Sequence, residues 1–338
     1  MSEFIKERGK GESLVNVCIV GFGAIGPIHA EAMEGFKNVN IYAICDILKE
    51  RADKGAALYG AKAYYDFSEC LKDDNIDCIH ICTPHYLHFE MIKKSLEANK
   101  KVIVEKPAVM KKEEMDVLFS KYDVSNIFPI VQNRKNECII KLKNIIENDK
   151  TIGKLKGIKG ILAWSRDSEY YNSANWRGTK EYEGGGVLIN QAIHTLDLMV
   201  YIGGAIEEIK AKMSNYSLDN IIEVEDTVDA FIKFKNKAVG IFYATNAYSN
   251  NSSFDLEVHF ENKHYRYIDG MLLCDGEIVC KDFDGFKGKK YWGIGHEKAL
   301  ADYYEYGATF NLSDVKDTMD AMFAAYESAQ MNGKPVHI

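Results

Sequence analysis

A chain of 338 residues, 46% hydrophobic and 27% charged, has the make-up of an ordinary globular protein and enough length for two domains. Its formal net charge of −8 argues against non-specific binding to nucleic acid or to an anionic membrane, and no run is long and apolar enough to span a bilayer. The 8 cysteines are scattered without zinc-ligand spacing, and Met1 to Ser13 lacks the apolar core of a secretory signal. Reduced thiols, a frayed N-terminal tail and a cytoplasmic location are the expectation, with no metal.

Val15 to Val20 is an apolar run suited to a buried parallel strand. Gly21-Phe22-Gly23-Ala24-Ile25-Gly26 follows directly, and Pro27 to Phe36 reads as a helix. In that context Gly21 permits a tight turn, Gly23 lets the backbone approach a pyrophosphate, and Gly26 allows close helix–strand packing. The pyrophosphate is expected on the amides that open the helix. A second run, Val39 to Cys45, ends in Asp46, which stands 20 residues beyond Gly26. An acid at that spacing grips the adenosine ribose hydroxyls and disfavours a phosphate there, so NAD is expected over NADP. Lys49 and Arg51 leave some room for the phosphate.

The alternation continues with helix 49–59, strand 78–82, helix 86–98, strand 101–104, helix 112–121 and strand 127–131. This pattern implies a doubly wound parallel sheet with ligands at the carboxyl ends of its strands. Thr83-Pro84-His85 and Glu105-Lys106-Pro107 fall at two of those ends. Pro107 biases Lys106 away from helix and makes the bond between them a candidate for the cis form, aiming the ammonium into the crevice. By position alone Lys106 reads equally well as a solvated surface lysine.

Beyond about residue 135 the character changes. Helix 136–147 connects to strands at 155–164, 228–234, 238–245, 254–260 and 265–268, expected as an antiparallel meander interrupted by a helix over 187–202. The reading is therefore a dinucleotide-binding domain over 1–135 and an α+β substrate and oligomerisation domain over 136–338. A last helix over 315–331 has no identifiable partner from periodicity alone.

Gly184-Gly185-Gly186 opens the apolar helix and is expected to bring backbone close to a ligand. Asn190 and His194 stand four apart and should share one helix face, with Asp197 holding His194 in one tautomer. The competing reading of His194 is a core histidine satisfied by a carbonyl. Arg166, Tyr170, Tyr171, Trp176 and Arg177 suit a polyhydroxylated ligand, with aromatic faces for stacking and guanidinium forks for hydroxyls or a carboxylate. Tyr291 and His296 belong to a segment that either approaches the substrate or caps the next helix. His29 is read as a brace for the first helix.

Taken together, the glycine loop, Thr83-Pro84 with His88, Glu105-Lys106-Pro107 and the helix ending at His194 resemble the Gfo/Idh/MocA family of sugar and polyol oxidoreductases. The 164–167 and 176–178 segments extend the resemblance. It implies a Rossmann-type domain holding NAD through Gly21, Phe22, Gly23, Ala24, Ile25, Gly26, Asp46, Thr83, Pro84, His88, Glu105 and Lys106. It further implies a large open sheet used to form a homo-dimer or homo-tetramer, and hydride transfer at a secondary alcohol of a sugar, polyol or sugar derivative. In that frame Lys106 polarises the reacting oxygen and His194 is the general acid/base. Arg166, Tyr171, Trp176, Arg177, Asn190 and His194 would contact substrate. Many members carry Asp where this chain has Asn190, and an amide orients a hydroxyl without exchanging a proton. Two other readings stay open: redox-neutral glycoside cleavage assisted by NAD, and a non-catalytic NAD- or sugar-binding regulator.

Overall fold

A computed structural model describes residues 14–282, 295–307 and 309–338. The expected N-terminal tail and Tyr291 lie outside the described residues.

The first unit alternates as expected: β1 (Val15–Val20), α1 (Gly26–Ala32), β2 (Val39–Cys45), α2 (Lys49–Tyr59), β3 (Lys62–Tyr64), α3 (Phe67–Lys72), β4 (Cys78–Ile81), α4 (His85–Glu97), β5 (Lys101–Val104), α5 (Lys112–Lys121) and β6 (Ile127–Pro129). Its six strands run parallel in the order β3-β2-β1-β4-β5-β6. The order reverses between β1 and β4, which opens a crevice at their carboxyl ends. β3 is a three-residue edge strand, too short to show a period. Cys18, Cys45, Cys70, Cys78, Cys82 and Cys138 are buried as free thiols.

Beyond β6 come α6 (Glu137–Asn148), β7 (Leu155–Ala163), α7 (Ser168–Asn172), a π-helical turn over Leu188–Ala192, α8 (Ile193–Gly203), β8 (Ile206–Ser214), β9 (Thr227–Phe234) and β10 (Val239–Thr245). These are followed by β11 (Asp255–Phe260), β12 (His264–Ile268), β13 (Met271–Cys274), β14 (Glu277–Lys281), α9 (Gly295–Tyr304), α10 (Lys316–Gln330) and β15 (Val336–His337). The nine strands form one sheet in the order β14-β13-β12-β11-β7-β10-β9-β8-β15. It is not a pure meander. β7, the first strand made, sits in the middle and pairs parallel with β10 and antiparallel with β11. β8 lies outside the strands expected from sequence: the adjacent Glu207 and Glu208 break the apolar alternation at its start, where the pairing register also shifts.

Helices cover one face of this sheet. Met199 of α8 lies against Gly160 of β7, where an added Cβ would come within 2.5 Å of its sulfur. The last long helix, α10, finds its partners in β8 and α8, burying Met319, Ala321, Met322 and Ala325. On the opposite face, Phe231 of β9 and Ile241 and Tyr243 of β10 are exposed, with Phe231 and Ile241 directly paired across the strands.

Among the contacts that cross residue 135, two stand out. Ala299, Leu300 and Tyr304 of α9 join Val17, Ile19, Ile44, Ile103 and Phe128 in the core of the first unit, so a C-terminal helix completes the N-terminal domain. The two sheets lie on either side of residue 135, and the core of the first takes in α9. The second contact is a buried ion pair. Arg134, just past β6, donates through Nε (2.8 Å) and Nη2 (2.6 Å) to the two oxygens of Asp197 on α8. Thr318 of α10 also donates to Asp197, at 2.8 Å. Asp197 is therefore committed to Arg134, not to His194 as the sequence spacing implied. Removing one charge of a buried pair leaves the other uncompensated. Asp197→Asn should lower unfolding stability by about 3–5 kcal/mol, read from urea denaturation; a loss below about 1 kcal/mol, the scale of an exposed pair, would refute this.

Candidate active site

The carboxyl ends of the parallel strands, the π turn and the segment around α7 enclose a cleft of about 1660 Å³. Gly21, Gly23, Ala24, Ile25, Asp46, Thr83, Pro84, Glu105 and Lys106 line one half. Arg166, Tyr170, Trp176, Arg177, Asn190 and His194 line the other.

The glycine loop has the shape a dinucleotide needs. Gly21 has φ +89°, and a Cβ there would stand 2.7 Å from the Cys82 carbonyl oxygen. A Cβ at Gly26 would lie 2.3 Å from the Gly21 carbonyl oxygen, so only glycine lets α1 start this close to β1. Gly23 instead faces open space, with Arg51 Nη1 at 3.6 Å as the nearest atom. Asp46 is fixed at the end of β2 by the amides of Phe22 and Leu48, each 2.8 Å from one of its oxygens.

Four expected contacts stand behind the cleft wall instead of on it. The Phe22 ring packs edge-on to Tyr59 of α2, leaving its amide for Asp46. Gly26 acts through the close approach just described. His88 bridges the two loops, with its ring nitrogens 2.7 Å from the Pro107 carbonyl and 2.8 Å from that of Thr83. Tyr171 is buried and its hydroxyl accepts from Asn246 Nδ2, whereas its neighbour Tyr170 faces the cleft. The glycine triplet is likewise packing. A Cβ at Gly185 would stand 2.0 Å from the Tyr326 hydroxyl, and one at Gly186 would stand 1.8 Å from the Glu225 carbonyl. These glycines bring the backbone close to the protein itself, not to a ligand.

The Lys106–Pro107 bond is cis. Lys106 Nζ donates to the Asn190 carbonyl at 2.9 Å and to Asn190 Oδ1 at 3.1 Å. Burial draws the Lys106 ammonium below its usual range; the Glu105 and Glu183 charges oppose this and Arg177 adds to it. His194 is held at about 3, first by burial and then by the Lys106 charge, so its imidazole is neutral at pH 7. The Gln132 side-chain amide reaches His194 Nε2 at 3.5 Å, the limit of a hydrogen bond. The π turn replaces the regular helix expected through Asn190, yet both Asn190 and His194 still reach the cleft.

Beside Lys106 lies a buried carboxylate held by two histidines. Glu105 accepts from His29 Nε2 (3.0 Å) and His296 Nε2 (3.1 Å) through a single oxygen. Burial alone would raise the Glu105 carboxyl, but these two bonds hold it well below the usual carboxylate range. His29 thus ties α1 to the sheet, and His296 lines the cleft from the start of α9.

Sequence reasoning passed over Glu183 and Gln191. Glu183 is 1% exposed, and its carboxylate accepts from Asn190 Nδ2 and from the Gly178 amide. Gln191 donates to the Tyr170 hydroxyl at 2.9 Å and accepts from Asn246 at 2.9 Å. An acid in front of a glycine triplet carries no periodic signal, and only the folded loop turns Glu183 back onto Asn190. The Arg177 guanidinium stacks over the Tyr170 ring at 4.4 Å and over the Trp176 ring at 4.8 Å. Arg166 stacks over Tyr170 at 5.1 Å.

Comparison with known proteins agrees with this geometry. Residues 15–123 match the oxidoreductase family model with an NAD-binding Rossmann fold, and residues 139–266 match the GFO/IDH/MocA C-terminal domain. Myo-inositol 2-dehydrogenase of Thermotoga maritima is 26% identical over 313 residues, covering 89% of this chain and 88% of its own. Levoglucosan dehydrogenase of Pseudarthrobacter phenanthrenivorans is 26% identical over 72% of this chain and 71% of its own. In fold the chain is similar to the WlbA dehydrogenase from Bordetella pertussis in complex with NADH and UDP-GlcNAcA, with a TM-score of 0.82 at 23% identity over 97% of this chain and 98% of that one. This chain belongs to the GFO/IDH/MocA family of NAD-binding oxidoreductases. The glycine loop and Asp46 are the residues that would hold the dinucleotide. A ribose phosphate would bring like charge against the Asp46 carboxylate, so NADH should bind at least about tenfold more tightly than NADPH. Fluorescence titration of both checks this, with Asp46→Ser narrowing the gap. Equal affinities in the native chain would refute it.

Proposed function

We propose that this protein oxidises a secondary alcohol, or reduces the matching ketone, on a sugar, polyol or sugar derivative. The observation that carries the reading is the donor geometry at Lys106. An ammonium has three N–H groups, and Asn190 accepts two of them. The third is left for a ligand oxygen in the cleft, on the side where the glycine loop would present a nicotinamide. When bound, that ring supplies or accepts the hydride. Lys106 then stabilises the oxygen as negative charge develops on it, in a site where low dielectric strengthens the interaction. His194, neutral at working pH, takes the hydroxyl proton in oxidation and returns it in reduction, a role worth typically about 10²–10⁴-fold. Asn190 holds Lys106 in place and titrates nothing.

The far wall suits a ring with several hydroxyls. Trp176, Tyr170, Arg166 and Arg177 all line it, with Arg166 stacked on Tyr170 and Arg177 on both rings, so aromatic and guanidinium groups are available to a polyhydroxylated ligand. Myo-inositol and levoglucosan, named for two relatives, are ligands of this kind. The free buried thiols fit the cytoplasm, where NAD(H) is kept.

The test is NADH formation and consumption across inositols, aldoses, their keto forms, lactones and nucleotide sugars. Lys106→Met should keep NADH affinity within a small factor and cut turnover on the best substrate by about 10²-fold or more. Unchanged turnover would sink the assignment. Release of a glycone without net change in NADH would replace it with redox-neutral glycoside cleavage.

The same reading extends to assembly. The Phe231, Ile241 and Tyr243 patch on the outer face of the large sheet is apolar, contiguous and exposed, the signature of a covered surface. We assign it to contact between copies of this chain. Light scattering coupled to size exclusion should give a dimer or tetramer, and Ile241→Glu should shift the mass towards the monomer. A native chain that elutes as a monomer at micromolar concentration would refute this.

A further inference from the structure

Asn190 is neutral, yet it sits against a buried ammonium that already feels Arg177. Burying a cation without a nearby anion is costly, and the cation then loses its proton instead. The nearest compensation behind Asn190 is Glu183. The two ends of the Asn190 amide differ: Oδ1 accepts from Lys106 and Nδ2 donates to Glu183 Oε1. Turned the other way, the amide would aim its N–H groups at the ammonium and its oxygen at a carboxylate. Glu183 therefore fixes which way Asn190 faces. The carboxylate is itself held by the Gly178 amide on its other oxygen.

We infer that Glu183 is a positioning residue for the reaction: it locks the Asn190 amide with its oxygen towards Lys106 and adds, one side chain removed, to the negative charge that Glu105 sets beside that ammonium. This rests on the Lys106 role proposed above. Glu183 does not line the cleft, so it acts through Asn190 and touches no ligand. The two charges also favour each other across the Asn190 amide: after Glu105, Glu183 favours the Lys106 ammonium, and Lys106 favours the Glu183 carboxylate.

The groups facing Glu183 come from several elements. They are Lys106 after β5, Arg177 and Tyr170 and Tyr171 around α7, Tyr326 of α10, and His85 of α4, whose Nδ1 lies 3.0 Å from the Glu183 carbonyl. Burial pushes the Glu183 carboxyl up to about 7, and the bonds from Gly178 and Asn190, with the charges of Arg177 and Lys106, stop it there. Protonation puts an O–H where one of those donors now points. One bond is lost together with the charge. Activity should then fall on the acid side of neutrality.

The experiment uses the full chain and three variants: Glu183→Gln, Asn190→Asp, and the two combined. In the cofactor-free protein, Lys106 is labelled with pyridoxal phosphate and borohydride across pH and quantified by peptide mass. In Glu183→Gln the labelling midpoint should move to lower pH. With NAD and the best substrate, kcat at pH 8 should drop about 10–100-fold, KM for NAD should stay within about twofold, and the limb near pH 7 should vanish. In the double variant the carboxylate sits directly on Lys106, so midpoint and rate should both recover. Asn190→Asp alone sets two carboxylates in contact and should be slower than the double variant. A native midpoint and pH profile in Glu183→Gln would overturn the inference. A slow Glu183→Gln that the second substitution leaves unrecovered would overturn it as well, making the residue merely structural. Should Glu183→Gln not fold, the double variant must label like the native chain or the inference fails. Full turnover in Lys106→Met would instead strike the parent reading, while the labelling midpoints still decide the link between Glu183 and Lys106.

Discussion

The carboxylate of Glu105 is the point on which the structure turns. It is buried at the end of β5, one residue before Lys106, and an ionised group there has to be compensated from several directions at once. His29 arrives on α1 from the glycine loop, and His296 arrives on α9 from the far end of the chain. The proton positions follow from this anion. Glu105 can only accept, so His29 carries its proton on Nε2 and offers Nδ1 as an acceptor to His80, 2.9 Å away. His80 then carries its proton on Nδ1, and its Nε2 accepts from the Tyr304 hydroxyl at 2.6 Å. Burial keeps both imidazoles neutral and the phenol protonated. Every donor in the row points towards Glu105, which ties α1, β4, β5 and α9 into one body around the base of the cleft.

The chemistry on the cleft side depends on the same principle of compensated charge. Lys106 and Arg177 bring positive charge into an enclosed site; Glu105 answers it from the cleft wall and Glu183 from behind that wall. The cavity side is thereby left to groups that donate and accept hydrogen bonds: the ammonium, the neutral His194 imidazole and the guanidinium groups. Charge set behind a neutral surface lets a site stabilise an oxyanion without binding a stray cation in its place. Asn190 fits this plan, because an amide transmits orientation between an anion and a cation while remaining neutral itself.

Much of the site was legible in the order of residues along the chain. The glycine loop with its acid 20 residues on, the strand-end Lys106 before Pro107 and the helix-borne Asn190 and His194 are local patterns, set by backbone geometry over a few residues. Where the reading went astray, the interactions were long-range. Asp197 at i+3 from His194 looked like its partner, but a buried Arg134 from another element outcompetes it with two short bonds. The glycine triplet looked like a ligand loop, but Tyr326, more than a hundred residues later, occupies the space its missing side chains leave. Tyr170 and Tyr171 are adjacent and chemically alike, and the turn of α7 alone decides which faces the cleft.

The alternation of strand and helix, the parallel first sheet and the glycine loop were all legible in the amino-acid order, because these rest on short-range sterics and on hydrophobic period. Tertiary structure decided what no period encodes: that β7 joins β10 in parallel at the centre of the second sheet, that α9 returns to finish the first core, and that Glu183 faces Asn190. In each case the deciding force is the cost of leaving something unburied or uncompensated, an open sheet edge, an apolar face or an enclosed charge. That cost is met by whichever segment the folded chain brings alongside.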